Sequence, residues 1–217
     1  MSLAVSTPVE DGASLSRVER RKARTNQRLL EVARQLFSRK GIYWATVEDI
    51  TELADQGKGT FYKYFDSKEA IIHALLEEGL DTLSVRTEEA VREVSGGRKI
   101  LAAAIEARVD FFLSHPEFLL FFHQVRGMMQ LDVDVAKELS DIYNNHLRKL
   151  AQLVKPALDG SGSTRDLATA IAAYTSGLLT YHVLFEGEAG IKRRRKYFLL
   201  TLEESLQSLL STGQASR

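Results

Sequence analysis

The sequence predicts an all-α protein, and three observations predict it. Apolar residues recur at helical spacing instead of alternating, only Pro8, Pro116 and Pro156 interrupt the 217-residue chain, and capping residues stand directly before apolar runs. The pattern divides into about nine helices. Residues 1–16 are expected to be a disordered tail, residues 17–66 a three-helix unit and residues 67–212 a larger helical domain.

The first helix is expected from about Val18 to Lys40, with Leu29, Leu30, Val32, Ala33, Leu36 and Phe37 as its buried face and Gly41 ending it. Thr46 caps a short second helix before Glu48 and Asp49, and Val47, Ile50 and Leu53 are expected to point inward. Asp55-Gln56-Gly57 breaks that helix, and a third runs from Lys58 through Tyr64. Asp66, with Glu69 as its reciprocal partner, is expected to cap a long helix near 67–94 whose stripe is Ile71, Ile72, Leu75, Leu76, Leu80 and Leu83. Five more helices are expected near 98–114, 116–129, 132–155, 164–186 and 191–211, the last two separated between Gly187 and Gly190.

Composition removes several classes of function. Without cysteine there is no disulfide, thiolate metal site or cysteine nucleophile, which suits a cytoplasmic protein. The start of the chain has neither the basic nor the apolar segment of a signal peptide. The stretch from Leu167 to Phe185 lacks charge, but its threonines, tyrosines and His182 suit a buried helix better than a membrane span, so no membrane partner is expected. No Gly-rich phosphate loop or Gly-x-Ser-x-Gly elbow is present, and no histidine has an acid three residues before it as di-iron helices do. Neither an enzyme nor a cofactor or metal site is expected.

Net charge is zero, yet between Arg17 and Lys40 nine basic residues face only Glu19 and Glu31. This basic run precedes two short helices joined by a tight turn, the arrangement a helix-turn-helix uses to enter a major groove. In the second short helix only Phe61 and Phe65 have the spacing of an inward face. Lys58, Thr60, Tyr62, Lys63 and Tyr64 are left outward as donors for phosphates and base edges, and Gly59 permits close backbone approach. Of the two tyrosines, one is expected to cover the core, and Tyr62 is favoured as the phosphate contact. The double-stranded DNA expected as partner would also meet the arginines before Arg28 along its backbone.

The run Thr46-Val47-Glu48-Asp49-Ile50, then Lys58 through Phe65, then Ser67-Lys68-Glu69, resembles the DNA-binding signature of the TetR family of one-component repressors across residues 25–75. The turn Asp55-Gln56-Gly57 is more polar than that family's usual one. The resemblance implies that Lys58, Thr60, Tyr62 and Lys63 contact bases or phosphates, that Thr46 and Lys68 clamp phosphates, and that Phe65 anchors the core. It also implies a homodimer on a palindromic operator, formed by the last two helices with Leu178, Tyr181, Phe198 and Leu202 at the interface. The expected function is a repressor released by a ligand that swings the helix near 67–94. An activator of the same fold reads identically, and a helical protein-protein adaptor is the alternative of a different class.

Phe111, Phe112, Phe118, Phe121, Phe122, Met128 and Met129 exceed what one helix stripe needs, although core packing claims most of them. A cavity for a small apolar ligand is expected among Phe112, His115, Phe118, Phe122, Met128, Tyr143 and Tyr174, with His115, His123, Asn144 or His182 orienting it.

Overall fold

The structure, a computed structural model, describes residues 16–130, 133–158 and 162–215. Helix α1 (Arg17–Lys40) begins at a reciprocal capping box, in which Ser16 Oγ accepts from Glu19 N–H at 3.2 Å and Glu19 Oε2 accepts from Ser16 N–H at 2.7 Å. It ends where Gly41 takes φ +89° and returns its N–H to Phe37 O at 3.1 Å. Then follow α2 (Val47–Leu53), α3 (Lys58–Phe61), α4 (Lys68–Arg92), α5 (Gly97–Ser114) and α6 (Pro116–Met128). The chain continues through α7 (Val133–Val154), a 3-10 turn at Lys155–Ala157, α8 (Thr164–Arg193) and α9 (Arg195–Ala215). Among the described residues there is no strand. Most of the tail expected at residues 1–16 lies outside the described residues.

Several boundaries differ from the sequence expectation for local reasons. Ser67, not Asp66, caps α4, because its extended backbone sets its hydroxyl to accept from Ala70 N–H at 3.1 Å. Gly187 breaks α8 at φ +72° and ψ 170°, within the expected Gly187 to Gly190, and a further helical stretch as far as Arg193 precedes α9. The start of α9 is fixed by Arg195, whose Nε and Nη2 donate to both Asp110 carboxylate oxygens on α5 at 2.6 and 2.7 Å while Nη2 also reaches Glu106 at 2.6 Å. The segment Thr164–Gly187 is long and apolar enough to cross a membrane by length and composition, and half of its most apolar window is buried against neighbouring helices.

One buried apolar cluster runs from Leu29 to Leu206, so the two expected units share a core. Helix α6 is the strut between them. Phe121 stacks on Phe37 of α1 with ring centroids 6.0 Å apart, and Arg34 lies 4.9 Å over the Phe118 ring and 3.7 Å from Glu117. Gln124 clamps the end of α1, donating to Phe37 O at 3.0 Å and accepting from Ile42 N–H at 2.7 Å.

Helix α4 crosses α6 at Gly79, where an added Cβ would lie 2.6 Å from Phe118 and 2.8 Å from Phe122. Phe122 borders the cavity described below, but Phe118, the closer ring, is held between Phe111, Phe122 and Arg34 and has little room to retreat. Overpacking should therefore outweigh the ~1 kcal/mol of helix propensity that alanine adds. Gly79→Ala is expected to destabilise the chain by about 1–2 kcal/mol and lower Tm by roughly 2–8 °C. A calorimetric scan showing an unchanged or higher Tm would refute the tight crossing.

Candidate nucleic-acid interface and buried cavity

The short helices α2 and α3 owe their positions to their caps and to two phenylalanines. Thr46 Oγ1 accepts from Asp49 N–H at 3.1 Å and Asp49 Oδ2 accepts from Thr46 N–H at 2.8 Å, closing a capping box at the start of α2. Lys40 from α1 adds 2.6 Å contact to the same carboxylate oxygen. The lysine and the Thr46 donors hold the Asp49 carboxyl down at about 2. Asp55 supplies the turn by adopting φ +54°, a conformation aspartate tolerates. Phe61 is fully buried and Phe65 nearly so, their rings 5.7 Å apart, and this pins α3 by one side.

The opposite side carries the donors. Tyr62 is 53% exposed, and Lys58, Gly59 and Lys63 also face solvent. Thr60 is half-buried. Tyr64 packs against the core, so of the two tyrosines it is Tyr62 that stands outward. The helix expected through Tyr64 is shorter, because Lys63 and Tyr64 N–H groups donate to Thr60 and Phe61 carbonyls three residues back. Leu53, expected inward, is exposed, and Thr51 and Ala54 are buried instead.

Two expected phosphate clamps are already engaged within the chain. Thr46 Oγ1, besides accepting, donates to Asp49 Oδ2 at 2.9 Å. Lys68, half-buried, donates to Ile42 O at 3.1 Å and Ala45 O at 3.2 Å, bracing the loop between α1 and α2 rather than projecting from the surface. Lys58 forms an exposed ion pair with Glu48. The same loop presents Tyr43 and Trp44, the latter 76% exposed, beside α2. Sequence reasoning passed over these two, although two aromatic residues in a row after a helix-ending glycine were a visible signal. Arg17, Arg20, Arg21, Arg24 and Arg28 form an exposed stripe at helical spacing along α1.

Within the larger bundle lies a cavity of about 290 Å³. Phe112, Phe122 and Tyr143 line it as the sequence suggested, together with Leu80, Leu83, Leu147, Ala172 and Ala173. The other four expected lining residues do not reach it. Phe118 is wedged between Gly79 and Arg34, Met128 packs in the core cluster, and His115 stacks near Phe111 with Arg86 at 3.3 Å. Tyr174 lies on the outer side of α8. Neither His123, Asn144 nor His182 lines the cavity.

The polar lining is Arg108, Arg126, His146 and Thr169 instead. Arg108 is only 3% exposed, and Nη1 donates to His146 Nε2 at 2.9 Å. Ser84 donates its hydroxyl proton to Leu80 O at 2.8 Å, so its oxygen accepts from His146 Nδ1 at 2.8 Å, which fixes the neutral tautomer with Nε2 as acceptor. Burial, then Arg108, pushes the His146 pKa down to about 3 and keeps the ring neutral. Burial and the neighbouring Arg126 lower Arg108 to about 9, leaving it charged at neutral pH. The sequence held a signal for Arg108, since it falls on the buried stripe of Leu101, Ala104, Ile105 and Phe112.

The expected dimer residues divide. Tyr181 is exposed and Leu178 half-buried, but Phe198 and Leu202 are buried within the chain's own bundle, Phe198 with its ring 4.9 Å from that of His182. Among the described residues, the large exposed apolar side chains of the last two helices are Tyr174, Tyr181, Leu184, Phe185, Tyr197 and Leu200.

Stability supplied by the Asp49 box is fully present above the ordinary carboxyl value of 3.8 and is lost as pH falls towards 2, because the folded pKa is depressed. Asp49→Asn should flatten the fall of Tm with pH over that window and lower helicity at neutral pH, both read by circular dichroism. A pH profile identical to the parent's would show that the box carries no stability.

Residues 29–75 match the model of the bacterial regulatory proteins of the tetR family. The chain is 27% identical over 193 residues to the HTH-type transcriptional regulator UidR of Escherichia coli K12, covering 87% of this chain and 94% of that protein. It is 29% identical over 102 residues to the HTH-type transcriptional repressor KstR2 of Rhodococcus jostii, 46% of this chain and 50% of that one. Its fold superposes on the transcriptional regulator FadR of Bacillus subtilis, solved in complex with stearoyl-CoA, with a TM-score of 0.69 at 20% identity over 86% of this chain and 98% of that one. With the signature in place, the helix-turn-helix exposed and a regulator matched along nearly its whole length, residues 29–75 form a DNA-binding domain of the tetR family, and the chain as a whole is similar to HTH-type transcriptional regulators.

Proposed function

We propose that the protein is a cytoplasmic homodimeric repressor that holds a palindromic operator with two copies of α3 and releases it when a small molecule fills the cavity. The observation that carries this reading is the one-sided burial of α3: Phe61 inward, and Lys58, Gly59, Tyr62 and Lys63 facing solvent where a major groove can receive them. The arginine stripe of α1 and the loop aromatics Tyr43 and Trp44 lie on the same small unit and suit flanking phosphates.

A second copy supplies the partner for the apolar side of the last two helices. On α8, Tyr174, Gly177, Tyr181 and Leu184 repeat at three- and four-residue spacing, and Tyr197 and Leu200 continue the surface on α9. Exposed apolar clusters of this kind mark association surfaces, and two-fold pairing of helices would cover both copies at once.

Helix α6 provides the route between cavity and DNA. Phe122 and Arg126 line the cavity, while Phe121 and Gln124 on the same helix hold α1 and the loop before α2. Leu80 and Leu83 give α4 a second contact with the cavity. A ligand that binds better to one setting of these helices shifts the separation of the two reading helices, with coupling of ~1–3 kcal/mol.

The operator is obtained by selecting bound fragments from genomic DNA, and electrophoretic shifts then test the residues. Tyr62→Ala should weaken binding about 5- to 150-fold without altering the fold, because the ring is half exposed and only its edge contact with Phe61, centroids 5.4 Å apart, is lost from the core side. Lys58→Ala should lose more than Lys63→Ala, since it also leaves Glu48 without its cation beside the DNA. Affinity should fall steeply with salt, and the slope should lessen by about 1 for each phosphate-binding lysine removed. Unchanged affinity in all three variants would overturn the assignment of α3.

A further inference from the structure

We propose that the cavity takes a small organic carboxylate, with Arg108 and Arg126 as the seat of its carboxylate group; this deepens the ligand-responsive reading above and rests on it. Arg108 is a charged group in the core with no acid beside it. Among the described residues no carboxylate lies within ion-pair distance of either guanidinium. An acidic cluster, Glu77, Asp81 and Asp141, lines a separate groove that shares only Leu80 and His146 with the cavity, and Asp81 is paired to Lys149 at 2.8 Å.

The donors point to the same conclusion. His146 offers Arg108 a neutral lone pair, which satisfies one N–H but supplies no counter-charge. Arg108 Nε is buried without any acceptor. A desolvated guanidinium with an unfilled donor and a second guanidinium nearby destabilises the empty bundle, and an arriving anion relieves all three defects together. The hydroxyls around the cavity are spent: Tyr143 donates to Phe122 O at 3.2 Å, Thr169 to Arg165 O at 2.8 Å, and Ser176 to Ala172 O at 2.7 Å. Arg126 is exposed, with Nη2 donating to Ser176 Oγ at 3.0 Å and its guanidinium 5.8 Å over the Tyr143 ring, so the uncommitted donors are its remaining N–H groups and Arg108 Nε, which suit the oxygens of a carboxylate.

The walls define the rest of the molecule. A space of about 290 Å³ is about ten water-sized groups at ~30 Å³ each, far more than an inorganic anion fills. Leu80, Leu83, Phe112, Phe122 and Leu147 surround that space with hydrocarbon. The occupant that satisfies both ends is a compact monoanion with one carboxylate on an apolar body of roughly seven to nine carbons, anchored by arginine instead of by the histidines and asparagine that the sequence suggested.

The test uses the full-length protein and two matched pairs of probes, octanoate with octanamide and 4-phenylbutanoate with its amide, read by calorimetric titration and by release of the selected operator. At least one acid should bind on the order of 30-fold or more tightly than its amide and release the operator at correspondingly lower concentration. Arg108→Met and Arg126→Met should each abolish that preference while retaining operator binding. The ligand-free Arg108→Met protein should also melt several degrees above the parent, because an isosteric apolar side chain replaces an uncompensated charge. Amides binding as tightly as acids would overturn the carboxylate assignment and leave the ligand-responsive reading standing. If no probe binds and Arg108→Met melts below the parent, the arginine is a structural post, and the cavity's role as a ligand site falls with the carboxylate assignment.

Discussion

The burial of Phe61 is the constraint on which the DNA-reading surface depends. A helix of one turn has too few hydrogen bonds to hold itself, so α3 exists because one large ring is locked into the core between its neighbours. With that ring fixed, Tyr62 and Lys63 stand towards solvent, and Lys58, one turn before Phe61, is held outward by its ion pair with Glu48. The capping boxes at Ser16 and Thr46 and the left-handed Asp55 set the approach angles of the surrounding backbone. The chemistry on the outer side is thus a consequence of packing on the inner side.

The same logic extends through α6. A helix surrounded by partners must satisfy different neighbours at successive residues, and this one meets the end of α1 through Phe121 and Gln124 and the cavity through Phe122 and Arg126. The tight crossing of α4 over Phe118 and Phe122 at Gly79 leaves little room for α6 to move alone. Packed helices of this kind change position as bodies between discrete arrangements, which is what a coupled cavity and reading helix require. Arg108 adds an electrostatic reason for the empty arrangement to be the less stable one around the cavity.

Legibility in the sequence follows the range of the interactions. The helix-turn-helix could be read because its determinants are local: a threonine three residues before an aspartate, a turn with Gly57, and two phenylalanines four residues apart. The cavity could not, because Phe118 and Phe122 share one stripe of one helix and only the position of α4 decides that the first is wedged and the second lines open space. On α9 the apolar residues occupy two sides, and nothing local says that Phe198 and Leu202 turn inward while Tyr197 and Leu200 turn out. Arg108 was readable as a charge on an apolar stripe, yet its lack of an acid partner is visible only when every neighbouring helix is in place.

On the proposed function, two outward faces of α3, carried by one two-fold dimer, enter the same side of a duplex. Hydroxyl-radical footprinting of the selected operator measures this directly. Two protected patches are expected on one face of the DNA, with centres roughly 10 base pairs or a little more apart and related by the operator's dyad. A single protected patch, or two on opposite faces of the duplex, would contradict it.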